Sequence, residues 1–400
     1  MKRVLFINSI CGVGSTGRII AGIMDRLKAH GVDSLCCYGR FSAPASLNTY
    51  RIGSDTDVYI HGIKSRITDR HGLYSKAVTK KLIKKIEEYD PELIHVHNVH
   101  GYYLNYKLLF EYLKSSGRRV IWTLHDCWSF TGHCTHFQYV SCDKWKSGCD
   151  HCPQLRQYPA SYLMDGSDKN YRLKKSLFTG FNNMKLVTPS NYLKDRVGES
   201  FLKEYETVVI PTGIDREVFS PTDTSDIRKR YSLEGKKVIL GVANPWRERK
   251  GLNDFIKLAS ITDEDTAIVM IGLKEKQKKL LPANIIGIVK TDSVKEMAGW
   301  YSLADVFMNL TYEDTFPTTN IEALSCGTPV ITYDAGGSSE SLNDDVGVVV
   351  KTGDVSASYE AFGKIIAANG TKYSREACMK RAGDYRAEDR FEEYIKVYGI

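Results

Sequence analysis

The 400-residue chain has no apolar run near the ~18 residues that a membrane-spanning helix needs. Its start, MKRVLFINSI, carries two basic residues and a short apolar run, without a long apolar core or a small-residue cleavage site. It reads as a first strand rather than a secretion signal, and the expected compartment is the cytoplasm. Repeats of solenoid length and low-complexity tracts are missing, which excludes stacked-repeat and disordered arrays. No nucleic-acid-binding motif is present, so nucleic acid is not an expected partner despite a net charge of +7. The second half lacks histidine altogether: all ten lie between His30 and His151, and eight of the ten cysteines lie between Cys11 and Cys152. Residues 1–200 hold 29 Lys and Arg against 17 Asp and Glu, whereas residues 201–400 hold 26 against 31. Such a split points to two domains with different partners, and the length agrees with two. With 42% hydrophobic and 26% charged residues, each domain has enough apolar material for a core.

Both halves alternate strand-like and helix-like segments. KRVLFINSI is followed by CGVGSTG and then by a helical pattern in which Ile19, Ile20, Ile23, Met24 and Leu27 share a face. ELIHVHN (92–98), RRVIWTLHD (118–126), KLVTPS (185–190) and TVVIPTG (207–213) are further strands ending in polar residues. The pattern restarts with KKVILGVAN, TAIVMIG, IIGIVK, ADVFMNL, GTPVITYD and VGVVV, and the last 24 or so residues read as helix. Such alternation predicts α/β architecture with mostly parallel sheets, in two doubly wound Rossmann-like domains facing across a cleft. The predicted division is 1–210, 211–385 and a closing helix over 386–400. Ligands of such sheets bind beyond the carboxyl ends of the strands, so polar strand ends are the first candidates.

Gly12-x-Gly14-x-x-Gly17 follows a strand and opens a helix. Glycines there let backbone approach a phosphate, and the helix N–H groups face the anion. The second strand ends in Arg40 rather than an acid, so an NADP-dependent oxidoreductase stays open, as does a tight turn with no ligand. Residues 313–340 are denser in chemistry. A strand ends in Glu313 and Asp314, the turn Thr315-Phe316-Pro317-Thr318-Thr319 follows, and a helix then carries Glu322. Unpaired helix N–H groups beside carboxylates suit a polyhydroxylated, anionic ligand.

The run Glu322-Ala-Leu-Ser-Cys-Gly327-Thr-Pro329-Val-Ile331 resembles the retaining GT-B glycosyltransferases of family 4, of the capsular and exopolysaccharide type. Asp314 stands eight residues before Glu322, where the family has its first Glu, and Glu313 stands nine before. GVANPWRERKG (241–251) resembles the family's basic element, with Lys250 at its Lys; Pro245 stands at the usual Arg, so Arg247 or Arg249 substitutes. VIPTGIDREVF, VTPSNYL and TLHD, which holds His125, extend the similarity over most of the chain.

The resemblance implies sugar transfer with retention from a nucleoside-diphosphate sugar to a hydroxyl of a glycan or polyprenyl-linked acceptor. It implies no cofactor for transfer. Lys250 with an Arg would bind the diphosphate, Glu322 the ribose, and His125 would face the reacting sugar. Phe316, Pro317, Thr318 and Thr319 would line the donor site. Gly14, Arg18, Asn98 and His100 are the acceptor-side candidates, and the closing helix would cross back to the first domain. A non-catalytic sugar-nucleotide-binding protein and a GT-B epimerase are the other readings.

Two features lie outside this pattern. Cys134, Cys142, Cys149 and Cys152 lie within an insertion at about 125–160 and are candidates for a structural zinc site, a redox pair or plain reduced thiols. Residues 64–88 read as one amphipathic helix with Arg66, Arg70, Lys76, Lys80, Lys81, Lys84 and Lys85. The readings are a solvated face or peripheral docking to anionic membrane lipid.

Overall fold

A computed structural model describes every residue of the chain except Asn369. The chain forms two compact units, Met1–Pro211 with Glu388–Ile400, and Thr212–Ala387.

The first unit holds a seven-stranded sheet of β1 (Arg3–Asn8), β2 (Asp33–Tyr38), β3 (Thr49–Arg51), β4 (Leu93–Val96), β5 (Arg119–Thr123), β6 (Met184–Thr188) and β7 (Thr207–Val209). Their spatial order is β3-β2-β1-β4-β5-β6-β7, and every pairing is parallel. The second unit holds β8 (Lys237–Val242), β9 (Thr266–Ile271), β10 (Ile285–Ile288), β11 (Val306–Asn309), β12 (Val330–Tyr333) and β13 (Gly347–Val350). Their order is β10-β9-β8-β11-β12-β13, again all parallel. β4, β9 and β12 are buried at every residue, because parallel strands are covered on both faces and therefore read as unbroken apolar runs. Strand order reverses between β1 and β4 in one sheet and between β8 and β11 in the other. Those two points are where a doubly wound sheet opens a crevice for ligands.

Helix α1 (Gly14–Ala29) buries Ile19, Ile20, Ile23, Met24 and Leu27, as their spacing predicts. The basic stretch 64–88 is not one helix. It is the end of α2 (Asp55–Thr68), a reversal, and then α3 (Lys76–Tyr89). Asp69 adopts a left-handed conformation (φ 55°), and its carboxylate takes His133 Nδ1 at 2.5 Å and Gly166 N–H at 2.8 Å. A buried ion pair with a residue 64 positions away thus overrides the local helical pattern. The closing helical stretch is also split, into Arg375–Gly383 and Ala387–Tyr398. Between them Ile214 N–H donates to Tyr385 O at 2.8 Å, and Ala387 N–H to Ile214 O at 3.0 Å. From Glu388 onward the last helix packs in the first unit, where Tyr398 Oη lies 2.7 Å from His95 Nδ1. Among the described residues no helix is long and apolar enough to cross a membrane.

Candidate functional site

In the second unit the loops after β8 and β11 carry the expected cations and acids. Trp246 is buried and its Nε1–H donates to Ile271 O at 2.8 Å, pinning the first loop. That loop ends at Gly251 (φ 78°), where any side chain would run into the Leu310 carbonyl. Tyr312 N–H donates to Arg249 O at 2.8 Å and ties the two loops together. Lys250 Nζ meets Asp314 Oδ2 at 2.6 Å, with side chains 22% and 24% exposed. Arg249 Nη1 is buried without a hydrogen bond and lies 3.7 Å from Glu313 Oε1, whose side chain is 3% exposed. The two adjacent acids therefore point apart: Glu313 inward to Arg249, Asp314 to the accessible Lys250. Arg247 is exposed on the same turn.

Asp314 Oδ1 accepts from Phe316 N–H at 3.1 Å, and the buried Phe316 ring packs on Tyr385 at 5.7 Å. The helix Thr318–Ser325 starts directly after Pro317 without a side-chain cap, so Thr318 and Thr319 open its first turn. Glu322 Oε2 accepts from Tyr301 Oη at 2.8 Å, and Thr318 Oγ1 is 3.3 Å from Oε1. Burial and the Glu322 charge hold the Tyr301 phenol well above its usual range, so it stays a donor. Chemically, the end of this sheet offers two cations, helix N–H groups for an anion, and two carboxylates for hydroxyl groups.

In the first unit the other strand-order reversal gathers a separate set. Asn8 joins the glycine loop to the end of β4: its Oδ1 accepts from Asn98 N–H at 3.2 Å, and its Nδ2–H donates to Ile10 O at 2.8 Å. Gly12 N–H donates to Gly17 O at 2.9 Å, and a Cβ on Gly17 would sit 3.1 Å from Gly12 N. Those two glycines serve the turn itself, while Gly14 and Arg18 are exposed at the start of α1. Beyond β5, His125 Nε2 lies 2.9 Å from His97 Nδ1. The ring planes differ by 17° with centroids 5.2 Å apart, the separation given by two imidazoles bonded end to end in one plane. Burial pushes His125 down to about 4, against the pull of Asp126, and pushes His97 and His95 well below their usual value. His100 Nε2 is 2.9 Å from Asp126 Oδ2. Burial resists ionisation of Asp126, yet His100 and the Trp128 N–H bond at 2.9 Å bring it down to about 2.

Asn98, His100 and His125 thus come together at the ends of β4 and β5, lining one small pocket with His97 and Asp126. Neither Asp126, which completes the TLHD run, nor His97, near the end of ELIHVHN, is among the candidates that the sequence marks. Tyr301 was missed entirely; it lies inside the helix Val294–Leu303, where nothing in the local pattern marks it.

The cysteines of the insertion gather against the core of the first unit. Cys134 is buried, and Cys142, Cys149 and Cys152 lean on the same apolar core. The Cys134 thiol hydrogen-bonds Cys152, chiefly by which Cys152 is lowered to about 7, and Gly132 N–H donates to Cys149 Sγ at 3.2 Å. Among the described residues no group of three or more His, Cys, Asp or Glu is disposed to hold a metal ion, these four included.

Residues 223–383 match the family described as glycosyl transferases group 1, and residues 16–218 match the one described as Glycosyltransferase Family 4. The chain belongs to glycosyltransferase family 4. An Escherichia coli (strain K12) relative named "Putative colanic acid biosynthesis glycosyl transferase WcaC" is 26% identical over 323 residues, covering 77% of this glycosyltransferase and 76% of the relative. Sucrose-phosphate synthase from Thermosynechococcus elongatus superposes with a TM-score of 0.73 at 15% identity, covering 100% and 98% of the two chains. Anabaena Alr3699/HepE, in complex with UDP-glucose, superposes at 0.68 with 13% identity, covering 100% of each. These likenesses show the fold: two Rossmann-like domains of the GT-B type. The family assignment does not favour the NADP oxidoreductase reading of the glycine loop.

Proposed function

We propose that this glycosyltransferase moves a hexosyl group, with retention, from a nucleoside-diphosphate sugar to a hydroxyl of a glycan or lipid-linked acceptor in surface polysaccharide synthesis. The observation that carries the donor side is the Lys250–Asp314 pair at 2.6 Å, with Arg249 and Glu313 behind it and Glu322 held by Tyr301. The relative named for colanic acid biosynthesis and the neighbour holding UDP-glucose support the choice of substrate class.

In this reading the diphosphate takes Lys250 and Arg249, whose charge stabilises the leaving group as its bond to the anomeric carbon breaks. Asp314, released from Lys250, accepts from sugar hydroxyls, and Glu322 accepts from the ribose. The acceptor hydroxyl forms the new bond on the same face, and its proton passes to the departing phosphate oxygen. His125 orients the sugar, while Asn98, His100, Gly14 and Arg18 serve the acceptor side. The basic residues of α2 and α3 support peripheral contact with an anionic membrane.

Glu322→Ala and Lys250→Ala test the reading. Each is expected to lower turnover of its best nucleotide sugar by about 100-fold or more, with an unchanged melting temperature. Full activity in either variant overturns it. Anomeric NMR of the first product checks retention, and an inverted linkage overturns that part alone.

A further inference from the structure

Helix α2 is built inside out. Its buried residues are His61, Gly62 and Ser65, whereas Ile60, Ile63 and Ile67, three and four residues apart, form an exposed stripe beside Tyr59. His61 is accommodated because Gly72 N–H donates to its Nε2 at 3.1 Å and Ser75 Oγ lies 2.7 Å from Nδ1. Apart from the half-buried Val58, the helix faces its own unit with polar and small groups and faces outward with isoleucine, which reverses the usual arrangement of a globular surface.

The stripe does not stand alone. Tyr162 N–H donates to Arg66 O at 2.7 Å and docks a short loop against the end of α2. That loop exposes Tyr162, Leu163 (76%) and Met164 (54%). Between residues 59 and 85 there are eight Lys and Arg and a single acid, Asp69, which is buried against His133. Lys64, Lys76, Lys80, Lys81 and Lys84 are all exposed. A groove of about 320 Å³ runs between α2 and the start of α3, lined by Ile60, Lys64, Tyr74 and Lys76. Asp57 also borders it, but its carboxylate is taken by Ser54 N–H at 2.9 Å and Ser54 Oγ at 2.7 Å. At the loop, Asp165 is turned to Cys152 N–H and Ser167 N–H.

We propose that this face is a monotopic docking surface for an anionic bilayer. Ile60, Ile63, Ile67, Leu163 and Met164 enter the level of the headgroups and upper acyl chains, and the surrounding lysines meet lipid phosphates. Of the exposed acids at the ends of these helices, Asp55 and Glu88 pair with Arg51 and Lys85, and apolar side chains ringed by the remaining cations match an interface that is apolar below and negative above. A second copy of the chain is a poor occupant, because two such faces would bring their cations together. The inference deepens the membrane contact proposed above and rests on it; it replaces docking by the basic residues alone with insertion of named apolar groups.

The test is co-sedimentation of the full chain with vesicles of phosphatidylglycerol and phosphatidylcholine, and with phosphatidylcholine alone, at low and high salt. Binding is expected only with the anionic vesicles, with part of it surviving high salt. The paired substitutions Ile63→Ser with Ile67→Ser, and Leu163→Ser with Met164→Ser, are each expected to weaken binding about tenfold or more and to remove the salt-resistant part. Leu163→Trp is expected to shift its emission to the blue on vesicle addition.

Binding that responds to Lys80→Glu with Lys84→Glu but not to the serine pairs overturns the proposal, as does no vesicle binding. Dimers that the serine pairs abolish, in place of vesicle binding, also overturn it in favour of self-association. Transfer to a soluble acceptor is measured in parallel. Its loss with vesicle binding intact counts against the proposed reaction and not against the docking face.

Discussion

At the scale of single residues, the adjacent acids Glu313 and Asp314 illustrate what spacing cannot decide. Both sit near the required distance from Glu322, but one is buried on Arg249 and the other is accessible on Lys250. The loop's path after β11 makes the choice. His97 is a second case. Its Nε2 is buried without a hydrogen-bond partner. An unmet lone pair costs less than an unmet buried N–H, so the His97 proton belongs on Nδ1, donated to His125 Nε2. Neutral His125 must then carry its own proton on Nδ1. His97→Phe keeps the ring and removes this bond, and is expected to lower kcat about 5- to 30-fold with little change in KM. Nitrogen-15 NMR of His125 is expected to lose the single-tautomer signature. A variant with unchanged kcat and the same tautomer would sink this assignment.

At the scale of elements, strands and most helices were legible because buried parallel strands are continuous apolar runs and α1 has a clear apolar stripe. The stretch 64–88 was not, since its break depends on Asp69 finding His133 and Gly166 far along the chain. A similar long-range contact shapes the donor loop. Gly336 has φ 59°, and a Cβ there would run into the Asp314 carbonyl, which also accepts from Gly337 N–H at 2.9 Å. Gly336→Ala must therefore move the segment that holds Asp314 and Phe316. It is expected to cost about 1–3 kcal/mol in urea unfolding and to weaken nucleotide-sugar binding in calorimetric titration. Wild-type affinity in a folded Gly336→Ala protein would show that the loop tolerates the shift.

At the scale of the whole molecule, the histidine skew becomes a pH response. His61 and His125 are pushed by burial down to about 4, and burial lowers His71, His95 and His97 well below their usual value. The unfolded chain takes up these protons near pH 6.5 and the folded one does not, so stability falls as pH drops from about 7 toward 4. Each withheld proton contributes about 1.4 kcal/mol per pH unit. His133 works the other way: burial opposes its charge, but the Asp69 hydrogen bond and charge raise it, adding stability below pH 6.5. It is one against five. Scanning calorimetry at pH 7 and pH 5 is expected to show the first unit melting earlier in acid while the histidine-free second unit shifts less. Equal melting of the first unit at both values would contradict the buried neutral imidazoles. Sequence by itself determined the α/β alternation, the two-unit organisation and the positions of Lys250, Glu322 and His125, because apolar runs and short motifs are local properties of the chain. Tertiary structure alone decided which acid meets Lys250, that Tyr301 holds Glu322, that Asp69 breaks the basic helix, and that α2 turns its isoleucines outward. Each of those depends on contacts between residues distant along the chain, where burial and a single ion pair outweigh local propensity.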